Sequence, residues 1–151
     1  LGYSYQAELK SVARRITGEL LPSQPLLTSD REMELTRSAN GHFEVVGSAN
    51  GSRLVFLIDT GATGISISPA DAGRIGIDLS SLRYTRRFQT ANGIGYGAPF
   101  QLDQLSIGPF RFKNVAVSIN QAEMSESLLG MSFLNRLSAF EIQGRKMILR
   151  Q

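Results

Sequence analysis

The apolar positions along the chain follow two different periods. In residues 5–21 they recur every three or four positions with charged residues between them, which predicts an amphipathic helix. Two prolines come next, so residues 21–30 are predicted to form a linker. In residues 31–151 apolar positions alternate with polar ones between frequent turn residues, which predicts a mostly β domain with one or two short helices.

Turn residues divide the β region into strands. Asn50-Gly51 separates His42–Ser48 from Arg53–Ile58, and this dipeptide predicts a two-residue hairpin of type I′. Met33 and Leu35 share one face of an earlier strand. Further strands are predicted at Ile65–Ser68, Arg83–Thr90, Ala98–Ile107 and Phe110–Ile119, with a short helix at Pro69–Ile75 capped by Ser68 and a closing hairpin of Phe140–Gln143 and Lys146–Leu149.

The Asn50-Gly51 hairpin ends in an apolar run that a carboxylate follows directly. Val55–Ile58 has no polar break, so it predicts a strand buried on both faces, and Asp59 comes next. Ionising a carboxylate beside apolar packing is costly unless hydrogen-bond donors surround it. Gly61 lets the backbone turn and bring amide groups towards the acid, and the Thr60 hydroxyl can bond to a neighbouring segment. An Asp-initiated turn without chemistry explains the same tripeptide, so both interpretations stay open.

Glycines alternate with other residues between two predicted strands, at Gly93, Gly95 and Gly97. Glycine loops can bind phosphate through free amide groups, but such loops open a helix, and strand-like residues flank this one. Two interpretations remain: a mobile hairpin tip, or a flap that closes over an extended substrate. The adjacent basic and aromatic segment Arg83–Phe88 is compatible with single-stranded nucleic acid, but a flap strand with a solvated outer face explains it better.

A second apolar run, Ser127–Leu137, predicts a buried strand that leads into a helix. Gly130 lies where the strand pattern ends and permits a close approach of two backbones.

Composition narrows the chemistry that the chain can perform. The sequence has no cysteine, and its one histidine is His42, which argues against metal clusters, disulfides and a Ser-His triad; no metal or other cofactor is predicted. The net charge is +3, but the charges are spread, so no nucleic-acid partner is expected. No run is long and apolar enough to span a bilayer. The first residue is Leu, so an upstream anchor or signal is compatible with the sequence.

The run Leu57–Thr63 resembles the active-site signature of aspartic proteases: two hydrophobic residues, then Asp, Thr, Gly, Ala and Ser or Thr. The segment 128–130 resembles the hydrophobic-hydrophobic-Gly element that supports the acid loop in that family, and Gly93–Gly95 lies where retroviral-type enzymes carry a flap. From Glu32 to Gln151 these elements follow the family's order. The chain therefore resembles a retropepsin-like aspartic protease of the single-domain bacterial kind, which implies an acid-protease barrel.

The resemblance also implies a role for each site residue. Asp59 would be the catalytic acid, Thr60 would brace the two acid loops of the active enzyme, and Gly61 would shape each turn. Ala62 and Thr63 would border the substrate. The flap residues implied to bind the substrate are Asn92, Gly93, Ile94 and Gly95, and the supporting residues are Leu128, Leu129 and Gly130.

The chain supplies only one acid motif, because none of its other aspartates is followed by Thr or Ser and then Gly. An enzyme with both halves in one polypeptide is roughly twice as long. The resemblance thus implies a homodimer that cleaves peptides with two Asp59 side chains sharing a proton. The alternative is a non-catalytic dimerisation or peptide-binding domain of the same fold.

The resemblance carries an expectation about location as well. Family members commonly have an N-terminal membrane anchor, which implies the periplasmic face of a bacterial inner membrane, with residues 1–30 as a helical extension and stalk before the protease domain at 31–151. The amphipathic helix is also compatible with docking on its own domain, lying on a membrane surface or binding a partner.

Overall fold

The computed structural model describes residues 26–29, 31–91 and 93–151. The helix predicted over residues 5–21 lies outside the described residues. Within them the strands are β1 (Leu26–Ser29), β2 (Glu32–Thr36), β3 (Phe43–Ala49), β4 (Ser52–Ile58), β5 (Ile65–Ile67), β6 (Arg86–Thr90), β7 (Gly93–Ile107), β8 (Phe110–Asn120), β9 (Ser127–Leu129), β10 (Ala139–Gln143) and β11 (Lys146–Arg150). The helices are α1 (Pro69–Arg74), α2 (Met131–Leu134) and a 3₁₀ turn at Leu79–Ser81. None of these described helices has the length and apolar character needed to cross a membrane.

Six strands close into a barrel in the order β3, β4, β9, β5, β8, β7, because β3 also pairs with β7. β6 pairs with the free part of β7 and extends the sheet as a hairpin beyond the ring. The predicted mostly β domain with short helices is confirmed. Strand β9 joins two parts of the ring, since it runs parallel to β4 on one side and antiparallel to β5 on the other.

A second sheet of four strands, in the order β1, β2, β11, β10, covers one part of the barrel. Met33 and Leu35 of β2 and Met147 and Leu149 of β11 are buried in the same apolar cluster as the barrel residues. The predicted closing hairpin is confirmed as β10 and β11, which pair antiparallel. The two sheets therefore share one core.

The linker predicted at residues 21–30 does not hold for its second half. Leu26–Ser29 forms β1, which pairs antiparallel with β2 through Leu26 opposite Glu34 and Leu27 opposite Met33. A four-residue edge strand gains its stability from this pairing, which no local pattern reveals. The sheet therefore includes residues on the amino-terminal side of the predicted boundary after residue 30.

The predicted glycine-rich tip is also different in the structure. β7 begins at Gly93, and the hairpin closes with Thr90 opposite Gly93, so all three glycines lie within β7. The ring of Phe88 lies against Gly95, where an added Cβ would be 2.8 Å from the ring. These glycines therefore belong to a paired strand, and one of them makes room for an aromatic side chain.

The Asn50-Gly51 hairpin is confirmed, and it ties two parts of the barrel together. Asn50 has φ 49° and Gly51 has φ 87°, as a type I′ turn requires. The Asn50 side-chain oxygen also accepts hydrogen bonds from the N–H groups of Asp103, at 2.8 Å, and Gln104, at 3.1 Å. The turn thus connects β3 and β4 to β7.

Replacing Asn50 separates these two contributions. Asn50→Gly keeps the positive φ and loses the two side-chain bonds, which is expected to lower the free energy of unfolding by about 1 kcal/mol. Asn50→Ala also adds the left-handed strain, for a total loss of about 2–3 kcal/mol. Urea denaturation of both variants measures the difference. Equal losses in the two variants would contradict the backbone part of this interpretation.

Candidate active site

Asp59 directly follows the last residue of β4 and is half-buried, and hydrogen bonds to main-chain groups hold it in place. Its N–H donates to the carbonyl of Leu129 on β9 at 3.0 Å, and its own carbonyl accepts from the N–H of Ala62 at 3.1 Å. The N–H of Gly61 donates to Asp59 Oδ1 at 2.9 Å. The sharp turn at Gly61 therefore brings an amide donor to the carboxylate, as the sequence predicted.

The loop 59–64 passes around the end of β9. Leu129 faces Ile58 of β4 on one side and Ile65 of β5 on the other, so the chain before and after the acid loop flanks the same short strand. The N–H groups of Met131 and Ser132 donate to carbonyls of the loop, both at 2.8 Å. The first amides of a helix have no partner within the helix, and here the acid loop provides it.

Gly130 joins β9 to α2 at the tightest point of this arrangement. Its N–H donates to the carbonyl of Gly64 at 3.0 Å. A Cβ at Gly130 would clash with the carbonyl oxygens of Ala62 and Gly64. Only glycine allows the two backbones to approach this closely, which is the reason for the Leu-Leu-Gly pattern at this position.

A cleft of about 620 Å³ opens above Asp59. The acid loop and β6 of the β6–β7 hairpin both line it. The remaining lining residues come from β5, β8, β9 and the start of α2; they are Ile65, Ser66, Ala116, Val117, Ser118, Leu128 and Ser132. A strand-lined cleft with a carboxylate in its wall suits an extended peptide.

The structure brings most of the predicted site residues together. Those that line the cleft are Asp59, Gly61, Ala62, Thr63 and Leu128. Leu129 and Gly130 are buried behind the acid loop, in contact with it, and Thr60 is exposed on the loop outside the cleft lining. Gly93, Ile94 and Gly95 lie in β7 and do not line the cleft, and Asn92 is outside the described residues; the substrate contacts of these four stay a prediction.

Sequence reasoning missed the contribution of β6. The segment Arg83–Phe88 is predicted as a flap strand with a solvated outer face; in the structure β6 covers Arg86–Thr90, pairs with β7 as a hairpin and lines the cleft, although none of its residues is among the predicted site residues. All five residues of β6 are exposed, so alternation in the sequence carried no signal about which face meets the cleft.

A buried carboxylate supports β9 from behind. Asp71 of α1 is only 8% exposed, and its Oδ2 accepts a hydrogen bond from Ser127 Oγ at 2.7 Å. Arg74 lies 3.2 Å from Asp71 Oδ1, and the N–H of Ser68 donates to Ser127 Oγ at 3.0 Å. The predicted Ser68 cap of α1 is confirmed, since its side chain accepts from the N–H of Asp71. Through Ser127 this network connects α1 to the strand that holds the acid loop.

Glu126 precedes Ser127 and interacts with the carboxyl groups of Glu44 and Asp71. Burial raises its pKa to about 7, with further contributions from a hydrogen bond with Glu44, the charge of Glu44 and the charge of Asp71. Near neutral pH this carboxyl therefore holds a proton that an isolated glutamate would have lost. In the described part of the chain no three His, Cys, Asp or Glu side chains are grouped so as to hold a metal ion.

The fold and the site together define a class of protein. A half-buried aspartate in an Asp-Thr-Gly turn, held by a strand that ends in glycine and facing a hairpin across a cleft, is half of an aspartic protease active site. Residues 45–136 match the family described as "gag-polyprotein putative aspartyl protease". The chain belongs to this family of retropepsin-like aspartic proteases.

Two relatives are similar to almost the whole of the chain. The chain is 37% identical over 148 residues to the uncharacterized protein RP867 of Rickettsia prowazekii (strain Madrid E), covering 98% of this chain and 64% of that protein. It is 33% identical over 153 residues to an uncharacterized protein in the cobV 5' region of Sinorhizobium sp, covering 98% and 66%. The chain thus spans about two thirds of the length of each relative, and no more than that.

Two solved structures are similar to this one. A retropepsin-like aspartic protease from Rickettsia conorii superposes with a TM-score of 0.72 at 38% identity, over 78% of this chain and 89% of that one. EIAV protease complexed with the inhibitor HBY-793 gives a TM-score of 0.59 at 16% identity, over 72% and 100% of the two chains. The second match shows the shared fold alone.

Gly130→Ala tests the close approach behind the acid. The added methyl group has to displace the carbonyls of Ala62 and Gly64, so we expect a loss of about 1–3 kcal/mol in the free energy of unfolding. Gly73→Ala in α1 is the control, because a Cβ there meets nothing within 4 Å and alanine favours a helix. Chemical denaturation compares the two, and a Gly130→Ala variant as stable as Gly73→Ala would contradict the packing argument.

Glu126 predicts a pH dependence of stability. Its folded pKa, about 7, lies above the unfolded value, so its favourable contribution is complete below about pH 4.5 and is lost as the pH rises through about 7. Glu126→Gln removes this loss, and the variant should gain melting temperature relative to wild type at about pH 8 but not at about pH 4. The exposed Glu123→Gln in the same loop is the control. Parallel stability profiles for wild type and Glu126→Gln would contradict the assignment.

Proposed function

We propose that the protein is an aspartic endopeptidase that acts as a homodimer. The observation that carries this proposal is the position of Asp59, which is the one acidic side chain among the described residues that line the cleft. Its carboxylate receives the amide of Gly61 and faces a groove lined by strands. A peptide laid along this groove would present its main-chain carbonyl to the acid.

The chemistry calls for a second carboxylate. Hydrolysis needs one group that takes a proton from water and another that gives a proton to the leaving amine. In the proposed dimer a second copy of Asp59 lies across a two-fold axis, and the two carboxyl groups share a proton because two close carboxylates cannot both be charged. The ionised one activates the water, which attacks the peptide carbonyl, and the protonated one supplies the proton.

Thr60 supports a symmetric arrangement. It is exposed at the rim of the acid loop, outside the cleft lining, and its hydroxyl makes no hydrogen bond within the described part of the chain. In the proposed dimer this hydroxyl bonds to the acid loop of the second copy and fixes the distance between the two acids.

Activity should be highest at acidic to mildly acidic pH, where the pair retains its shared proton.

A non-catalytic peptide-binding domain is the second candidate. The observation in its favour is that one chain carries half of an acid pair, so a monomer would bind without turnover. The concentration dependence of association separates the two candidates: sedimentation at increasing concentration shows a dimer for the enzyme and a monomer throughout for the binding domain.

Asp59→Asn tests the proposed enzyme. The amide has nearly the same shape and cannot act as a base, so cleavage of a peptide library at several pH values should fall by about 10³-fold or more while the melting temperature changes little. Asp103→Asn, at an exposed position on β7, is the matched control and should keep full activity. A statine-type inhibitor should block the wild type. Cleavage retained by Asp59→Asn would refute the assignment of the catalytic acid.

A further inference from the structure

The two faces of the β6–β7 hairpin carry different side chains. Arg86 lies opposite Gly97 and Phe88 lies opposite Gly95, so these four positions share one face. Arg87 lies opposite Tyr96, and successive side chains of a strand point to opposite faces. The two adjacent arginines therefore project from opposite sides of the same strand.

The face of Arg86 is the one that meets the cleft. The ring of Phe88 lies against Gly95 and Gly97, where an added Cβ would be 2.8 and 3.4 Å from ring atoms. On the next strand Ser118 Oγ is also packed against Gly97, and Ser118 belongs to the cleft wall. Arg86, Gly97 and Ser118 therefore share one face of three neighbouring strands, with Ser118 diagonal to Gly97, whose register partner on β8 is Asn120.

The opposite face turns into the barrel core, and of its β8 residues Val117 reaches the cleft. Along β7, Tyr96 is followed on its own face by Ala98, which is fully buried and paired with the fully buried Ile119. This face continues into the barrel core. Arg87 borders the cleft through its position in β6, but alternation directs its side chain to the face of Tyr96.

The side chain of Arg86 has no carboxylate partner among the described residues. The ion pairs among the described residues involve other cations, Arg74, Lys146 and Arg150, and neither an ion pair nor a hydrogen bond of the Arg86 guanidinium is formed there. The acid of the cleft, Asp59, makes no ion pair with it. A guanidinium presents a planar set of donors that fits a carboxylate through two parallel bonds. The cleft thus offers an unused site for an anionic group on the side opposite the catalytic acid.

We propose that Arg86 determines substrate specificity by binding the carboxylate of an aspartate or glutamate that lies near the scissile bond of the peptide. This inference rests on the proposed function and adds a substrate class to it: acidic peptides. Phe88 lies on the same face of β6 two residues along, and its partly exposed ring offers an apolar surface to the methylene groups of the acidic side chain. The positive charge of this strand also favours the approach of negatively charged peptides.

The test compares peptides that differ only in charge. A peptide set carries glutamate or the isosteric glutamine at each position within four residues of the cleaved bond, and kcat/KM is measured for wild type, Arg86→Gln and Arg87→Gln. Wild type should prefer glutamate at one or two positions by about five- to tenfold. Arg86→Gln should lose this preference, and Arg87→Gln, with the same change of charge on the other face, should keep it. Arg86→Glu should reverse the preference, so that the glutamine peptides are cleaved better than the glutamate peptides.

A second readout separates this inference from the proposed function. The same glutamate and glutamine peptides are titrated onto the Asp59→Asn protein, with and without Arg86→Gln, and binding is followed by fluorescence anisotropy. Tighter binding of the glutamate peptides that depends on Arg86 supports the acidic subsite even if no cleavage is found with wild type.

Three results would overturn the inference. The first is equal cleavage and equal binding of the glutamate and glutamine peptides. The second is an equal loss in Arg86→Gln and Arg87→Gln, which would indicate general electrostatic attraction without a defined subsite. The third is weaker dimerisation of Arg86→Gln in sedimentation with unchanged peptide preference, which would place the carboxylate partner of Arg86 on the second copy of the chain.

Discussion

The position of Asp59 depends on one backbone arrangement, in which the strand Ser127–Leu129 lies inside the bend of the acid loop. Leu129 accepts the hydrogen bond of the Asp59 amide, and the amides that come after Gly130 hold the carbonyls of the loop. These bonds come from main-chain groups, whose geometry the fold fixes independently of side-chain rotamers. The acid loop is therefore already in place within a single chain, which is the preorganisation that the proposed catalysis needs.

The position of the acid loop therefore depends on the register of β9 in the barrel. A shift by one residue would exchange the buried Leu129 with the cleft-lining Leu128 and turn an apolar side chain to the wrong face. The strand is only three residues long, so its own pairing specifies the register weakly. The bond from Ser127 to the buried Asp71 adds a polar contact that is satisfied in one register only, because a shift would leave Asp71 Oδ2 without its donor.

Local signals in the sequence predicted what local chemistry decides. Asn50-Gly51 predicted its turn because both residues tolerate positive φ, and Ser68 predicted the start of α1 because a hydroxyl caps a helix. The sequence could not predict how far the hairpin strands extend or which face of β6 meets the cleft. The contacts that explain Gly95 and Gly97 come from Phe88 and from another strand. A glycine that makes a loop flexible and a glycine that makes room for a neighbouring side chain look the same in a sequence. Edge strand β1 was missed for the same kind of reason, as its pairing with β2 is a tertiary contact.

The negative charge of Asp59 and the positive charge of Arg86 lie on different segments of the cleft lining. This separation suits both the proposed catalysis and the proposed binding of acidic side chains. An arginine paired with a catalytic aspartate would favour the ionised form of that acid, whereas a pair that shares a proton needs one neutral member. Asp59 lies on the acid loop and Arg86 on the strand across the cleft, and the two form no ion pair. In the proposed enzyme this leaves the guanidinium of Arg86 available for a substrate carboxylate.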